Sequence, residues 1–268
     1  MSNGVKALWN KDASGEVEGW YMPNNPERFA VVEEVKKNPE KGFPAAVYPL
    51  LKKYPGDLRG KRVLVPSSGD NTAAFGFHFL GAKVTSCDIA ENQLKVAKSI
   101  ADKFGCDIEF ICSDSMKLDE IKDGEYDLVY TSNGVHVWIH DLAGMYGNFY
   151  RVLKRGGYNL FFETHPVSRP FDDALQIKKP YEDIINHDKE TVPVYEWRTQ
   201  DIVNAVADAG FVIRQMAEFH SVPEDLTGNY LQGPDDPNDP DYGKDMYDWR
   251  VNPRAALPQC LCLCSQKI

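Results

Sequence analysis

The sequence predicts an α/β fold built on a doubly wound, mostly parallel sheet, and three observations predict it. Seven short apolar or β-branched runs recur between residues 61 and 268. Stretches with helical apolar periodicity separate most of them. Carboxylates, serines and glycines gather where the runs end. Strands that alternate with helices need crossover connections, and right-handed crossovers cover both faces of a parallel sheet.

The elements follow in order. Residues 1–60 read as an irregular, aromatic-rich cap carrying Trp9, Trp20, Tyr21, Phe29 and Tyr48, with one helix over 45–53. The regular domain, 61–268, begins with "RVLVP" at 62–66, a helix over 72–80 closed by Gly81, and "KVTSCD" at 83–88. Over 91–104, Leu94, Ala97, Ile100, Ala101 and Phe104 share one helical face, and Gly105 supplies the C′ position. Strands at 107–112 and 126–132 come next. A helix over 141–154 then aligns Leu142, Met145, Phe149 and Val152 and stops at Gly156-Gly157, ahead of the strand "YNLFFET" at 158–164. Thr199 is the expected cap of a helix bearing Ile202, Ala205, Val206 and Ala209, stopped by Gly210. Runs at 211–219 and 258–266 complete the set. Polar, Pro-containing insertions occupy about 166–198 and 220–257. Trp9, Trp20, Tyr21, Trp197, Tyr247 and Trp249 all fall outside the sheet core, which suggests lids over a pocket.

Composition narrows the function. The chain has 268 residues, with 30 basic against 40 acidic side chains and a formal charge of −10. That balance disfavours nucleic acid or an anionic membrane as partner. The first twenty residues contain no continuous apolar stretch, so a cytoplasmic protein is expected. The six cysteines read as buried thiols; Cys260, Cys262 and Cys264 would share one strand face about 6–7 Å apart, a spacing that suits packing rather than tetrahedral metal binding. The acidic run at 233–245 lacks the ligand spacing of a calcium loop and reads as solvated.

In an open parallel sheet the ligand lies beyond the carboxyl ends of the strands. Asp88 closes the second run, where a carboxylate accepts ribose hydroxyls, and Asp114 follows the third, where it accepts an exocyclic amine. The first loop offers Ser67, Gly69 and Asn71 with Asp70 beside them, in place of G-x-G-x-x-G. A carboxylate at that turn repels a pyrophosphate, so a cationic ligand such as S-adenosylmethionine fits better. A nicotinamide-dependent oxidoreductase and a non-catalytic cofactor-binding protein remain as alternatives. Singly, each aspartate also has a bland reading as a turn former.

The order "VLVPSSGD…VTSCDIAENQLKVAK…FICSDSMKL…YDLVYTSNGVHVWIHDLAGMYGNFYRVLKRGGYNLFF" resembles the class I S-adenosylmethionine-dependent methyltransferases, in particular those acting on small molecules. The likeness covers about 60–165 and extends more loosely to the end. It implies a Rossmann-like seven-stranded sheet whose last strand is antiparallel. It places Ser67, Ser68 and Gly69 against the methionine part of the cofactor, Asp88 on the ribose with Ile89 beside it, and Asp114 on the adenine amine between Ser115 and Met116. Ser132 and Asn133 would sit near the sulfonium and methyl group. Val65 stands where the family usually has an acidic residue, and Ser67 and Asn71 replace glycines.

The implied reaction is methyl transfer to an O, N or S atom of a small-molecule acceptor. His136 and His165 are the candidate bases, although each can equally be a buried imidazole satisfied by its surroundings. Glu163 either meets a cationic acceptor or anchors the next loop. Arg28 either neutralises the cofactor carboxylate or is a surface arginine. "TSNGV" after the fourth strand differs from the Asn-Pro-Pro-aromatic type of many enzymes that methylate exocyclic amines in nucleic acids.

Overall fold

The computed structural model describes residues 2–15, 25–69, 72–132, 134–172, 174–186, 192–220, 222, 225–226, 231, 233–234 and 236–268. Its centre is a seven-stranded sheet: β1 Arg62–Val65, β2 Lys83–Asp88, β3 Ile108–Cys112, β4 Tyr126–Ser132, β5 Leu153–Thr164, β8 Val212–Phe219 and β9 Cys260–Gln266, in the spatial order β3-β2-β1-β4-β5-β9-β8. Neighbouring strands from β3 to β5 pair in parallel, whereas β9 is antiparallel to both β5 and β8. Only the last strand therefore runs against the rest, as expected. The direction of winding reverses between β1 and β4, so the carboxyl ends of these two strands border the crevice where such sheets bind ligands.

Two apolar layers cover the sheet. On one face the side chains of β1, β4 and β9 pack with α4 Thr72–Phe79, α5 Glu91–Phe104 and the N-terminal helices; on the other they meet α6 Leu142–Val152 and α7 Thr199–Asp208. The alternation along β9 shows the division. Cys260, Cys262 and Cys264 join the first layer, and Leu261 and Leu263 the second, all fully buried. Helix α5 buries the face anticipated from its periodicity, and Gly105 ends it at φ +67°, its N–H donating to the carbonyls of Ala101 and Asp102. Helix α6 is capped by Asp141, whose carboxylate accepts the Gly144 N–H.

Several boundaries differ from expectation. The first sixty residues are more regular than the sequence suggested. They contain α1 Ser2–Asp12, α2 Pro26–Lys37, a single 3-10 turn at Pro39–Gly42 and α3 Tyr48–Lys53, which is shorter than the expected 45–53 helix. Asn25 caps α2 by accepting the Glu27 N–H, and Pro26 starts it. Arg28 is buried on that helix rather than at the surface. Val32, Val35, Phe43 and Leu51 share one apolar core with Val63 and Val65. The closest approach is backbone to backbone, since a Cβ on Gly42 would lie 3.0 Å from the Gly76 Cα in α4.

Gly156 and Gly157 do not stop a helix; they lie in the early part of β5, where the pairing with β4 shifts between Tyr126 and Leu128. Arg198, not Thr199, occupies the N-cap of α7, its backbone N–H donating to Asp201 three residues on. The 166–198 insertion holds a 3-10 turn at Pro166–Ser168 and a two-residue ribbon, β6 Ile185–Asn186 with β7 Val194–Tyr195. Trp197 is a packed side chain whose Nε1 donates to Ile139 O at 2.8 Å, while Trp249 is exposed. Trp20 and Tyr21 lie outside the described residues. No helix among the described residues is long and apolar enough to cross a membrane.

Candidate cofactor and acceptor site

The loop after β1 turns sharply because Ser67 and Gly69 both adopt left-handed backbone, at φ +48° and +49°. Glycine takes that conformation without steric cost, while serine takes it only when neighbouring contacts over-determine it. Here they do. Ser67 Oγ lies 2.6 Å from Ser115 Oγ, Ser68 N–H donates to Cys87 O at 2.9 Å, and Ser68 Oγ lies 2.6 Å from Ser86 Oγ. The hydroxyls thus tie the first loop to β2 and to the loop after β3.

Asp88 is the pivot of this edge. It is buried, and its two oxygens accept the Gly69 and Ala90 N–H groups, each at 2.8 Å. A carboxylate has about four acceptor positions, so these bonds orient it without exhausting it. Beyond β3, the Asp114 carboxylate accepts the Met116 N–H at 2.9 Å, and its carbonyl accepts those of Lys117 and Leu118. Ser115 is buried beneath that turn, whereas Ile89, Asp114, Met116 and Ser132 are part-exposed along the same edge. Hydrogen bonds therefore join Ser67, Ser68, Gly69, Asp88 and Ser115 in one network. Asp70, Asn71 and Asn133 lie outside the described residues.

One residue the sequence reading passed over belongs with them. Gln93, on α5, is fully buried, and neither its amide oxygen nor its nitrogen has a hydrogen-bond partner among the described residues. Its Oε1 lies 3.2 Å from where a Cβ on Gly69 would stand, so the amide looks into the loop. The available signal was a polar residue on the apolar face of α5, one turn beyond Asp88.

The loop after β4 is held differently. Glu163, at the end of β5, is buried; its Oε2 accepts the Gly134 N–H at 2.8 Å, and its Oε1 accepts those of Val135 at 2.8 Å and His136 at 3.3 Å. This carboxylate is a loop anchor and not an open contact for an acceptor. His136 is buried beside it, its Nε2 2.6 Å from the Tyr146 hydroxyl and its Nδ1 3.4 Å from Glu163. Desolvation lowers the imidazole pKa against the opposing pull of Glu163, and the nearby Arg169 charge lowers it further. The ring is held neutral and walled off. Burial likewise pushes the Tyr146 phenol well above its ordinary value.

His165 is also engaged on both sides. Its Nδ1 accepts the Val167 N–H at 3.0 Å, which places the proton on Nε2, 2.7 Å from Glu218 Oε1. The structure thus brings neither expected base to an open surface.

At the same carboxyl edge, beyond β5, lies a cleft of about 210 Å³ bounded by Thr164, Arg169, Lys178, Glu196, Arg254 and Gln259. Both insertions contribute to its walls. Strands stand about 4.8 Å apart, so β5 is roughly 10 Å from β1 and its loop.

Comparisons with known proteins agree with this geometry. Residues 66–157 match a family described as "Methyltransferase domain". A relative described as an uncharacterized methyltransferase, YbaJ of Bacillus subtilis, is 26% identical over 204 residues, covering 68% of this chain and 78% of that one. The ubiquinone biosynthesis O-methyltransferase of Bordetella pertussis is 28% identical over 144 residues, 52% of this chain and 59% of its own length. Among solved structures, an S-adenosylmethionine-dependent methyltransferase from Mesorhizobium loti aligns with a TM-score of 0.61 at 19% identity, over 83% of this chain and 98% of that one. The geranyl diphosphate C-methyltransferase of Streptomyces coelicolor aligns with a TM-score of 0.60 at 14% identity, over 100% and 98%. Residues 66–157 thus carry a methyltransferase domain, on a fold shared with S-adenosylmethionine-dependent methyltransferases.

That assignment makes S-adenosylmethionine the methyltransferase's cofactor and sets aside the nicotinamide-dependent and non-catalytic alternatives. The site's chemistry suits the group. A buried acceptor at the end of β2, an unpartnered amide facing the first loop, and no glycine triplet for a pyrophosphate together fit an adenosyl donor that carries positive charge.

Proposed function

We propose that this methyltransferase moves a methyl group to an O, N or S atom of a small molecule. The observation that carries the reading is the cleft beyond β5, on the same edge as the cofactor loops and walled by both insertions. Its size suits a compact acceptor and not a duplex or a folded protein surface. The ubiquinone biosynthesis relative supports the class, and the chain's acidity disfavours nucleic acid.

In this reading Asp88 and Gln93 hold the ribose beside Ile89. Asp114, Ser115 and Met116 receive the adenine, and Ser67, Ser68 and Gly69 the methionine part. Ser132 and Asn133 border the reacting end. When bound, the sulfonium would supply an activated methyl to the acceptor's lone pair, the carbon–sulfur electron pair staying on sulfur and any acceptor proton being lost to bulk solvent. The protein's share is alignment and exclusion of water, effects worth roughly 7–11 kcal/mol when positioning is good. His136 and His165 contribute as positioning groups. His136 braces the loop after β4 through Tyr146 and Glu163, and His165 fixes the turn that opens the acceptor cleft.

The test supplies methyl-labelled S-adenosylmethionine together with a metabolite extract and, separately, tRNA and a protein lysate. The label is expected in the low-mass fraction. Label confined to macromolecules overturns the reading.

A further inference from the structure

The cleft beyond β5 has a charge pattern at odds with the rest of the molecule. On a chain of net charge −10, three basic side chains, Arg169, Lys178 and Arg254, line one small recess. Its two acids are already engaged. Asp172 Oδ1 accepts the Ala174 and Gln176 N–H groups at 3.0 and 2.8 Å, and Glu196 is ion-paired with Lys179. Arg169 and Lys178, by contrast, make no side-chain hydrogen bond or ion pair among the described residues.

A second observation points to a ligand. Gln259 lines the same wall with 7% of its surface exposed, and its side-chain Oε1 has no hydrogen-bond partner among the described residues. A buried amide left unpartnered costs about 1–3 kcal/mol unless something polar meets it. The amide can rotate to present either its oxygen or its nitrogen.

Arg169 also links the recess to the reacting edge. It lines the cleft, and its charge is also felt by His136 in the loop after β4. Guanidinium and ammonium groups beside an amide donor form the chemistry that receives a carboxylate or a phosphate.

We propose that the acceptor is a compact anion, whose carboxylate or phosphate group is held by Arg169, Lys178 and the Gln259 amide while a different atom of the same molecule takes the methyl. The inference rests on the small-molecule methyl-transfer reading and names its substrate class. The anchor is a binding contact alone, so the product keeps its negative charge. The cationic recess also draws anions toward an otherwise repelling surface.

Two measurements test it. Inorganic phosphate, at ionic strength matched with chloride, is expected to raise the unfolding midpoint of the S-adenosylhomocysteine complex, and Arg169→Ala combined with Lys178→Ala to abolish that rise. Equal shifts in both proteins overturn the anchor. Labelled products from a metabolite extract are then separated by anion exchange. A retained product, formed at least tenfold more slowly by Arg169→Ala while S-adenosylhomocysteine affinity stays within twofold of wild type, supports the proposal. A product that flows through unretained, or one formed by the variant at the wild-type rate, overturns it. Failure of the wild type to bind S-adenosylhomocysteine sinks the methyl-transfer reading itself, a result separable from loss of the anchor.

Discussion

Gln93 sits in the core with neither polar atom of its amide hydrogen-bonded among the described residues, and such a group calls for a ligand or an ordered water to complete it. Replacing it by Leu removes the unsatisfied amide, so Gln93→Leu is expected to raise the unfolding midpoint of the ligand-free protein while weakening S-adenosylhomocysteine binding. Thermal denaturation with and without the ligand reads both effects, and a variant that is less stable yet binds normally would show the amide to be a packing element. His136 gives a pH signature. Its imidazole is buried neutral with a lowered pKa, while the unfolded chain takes up a proton below the ordinary value near 6.5. The unfolded state then binds more protons, so stability falls on acidification from about pH 6.5, by at most about 1.4 kcal/mol per pH unit for this one group. Urea unfolding at pH 7.5 and 5.5 is expected to show a smaller loss for His136→Gln than for wild type. At this scale Asp88 and the Ser-Gly turn were legible in the sequence because their chemistry is local to strand ends. The anchoring of three N–H groups by Glu163 was not, because its partners lie about thirty residues earlier in the chain and meet it only once β4 and β5 pair.

Helix α1 buries none of its own residues, which is why apolar periodicity could not announce it. It is held instead from outside. Lys6 and Asn10 reach Glu91 and Asn92 at the start of α5, and the Trp9 ring meets Trp138, after β4, at 5.4 Å between centroids. These two footholds follow β2 and β4, so α1 spans the carboxyl edge past the end of β1. Trp9→Ala is expected to quicken S-adenosylhomocysteine dissociation several-fold in stopped-flow measurements, with little change in the rate of binding. An unchanged dissociation rate would leave α1 without that role. Helix α2 escaped notice for a related reason: it buries only Arg28, Val32 and Val35, a sparse and partly charged stripe. Its neighbourhood is nonetheless tightly fitted. In Gly42→Ala the new Cβ would stand 3.0 Å from the Gly76 backbone, which cannot rotate away, so a loss of about 1–3 kcal/mol is expected in chemical denaturation. By contrast β2, β4 and α5 were readable to within a residue, because the two strands are buried almost without interruption between the layers and α5 buries one regular stripe.

Across the whole molecule, the sheet order β3-β2-β1-β4-β5-β9-β8 sorts the work of the carboxyl edge into two halves. Loops from β1, β2 and β3 form one hydrogen-bonded network centred on Asp88, and those from β4 and β5, with the insertions, shape the recess beyond. The alternation of strands and helices made this topology legible from the sequence. The insertions were not, since polar segments without periodicity take their form from the surfaces they cover. The proposed function assigns donor and acceptor to these two halves, and all of it depends on the first half gripping an adenosyl group. Calorimetric titration of S-adenosylhomocysteine into wild type and Asp88→Ala, with circular dichroism confirming that both are folded, tests this most directly. Loss of the carboxylate's hydrogen bonds is expected to lower affinity by at least about tenfold; equal affinity in the two proteins would contradict the account.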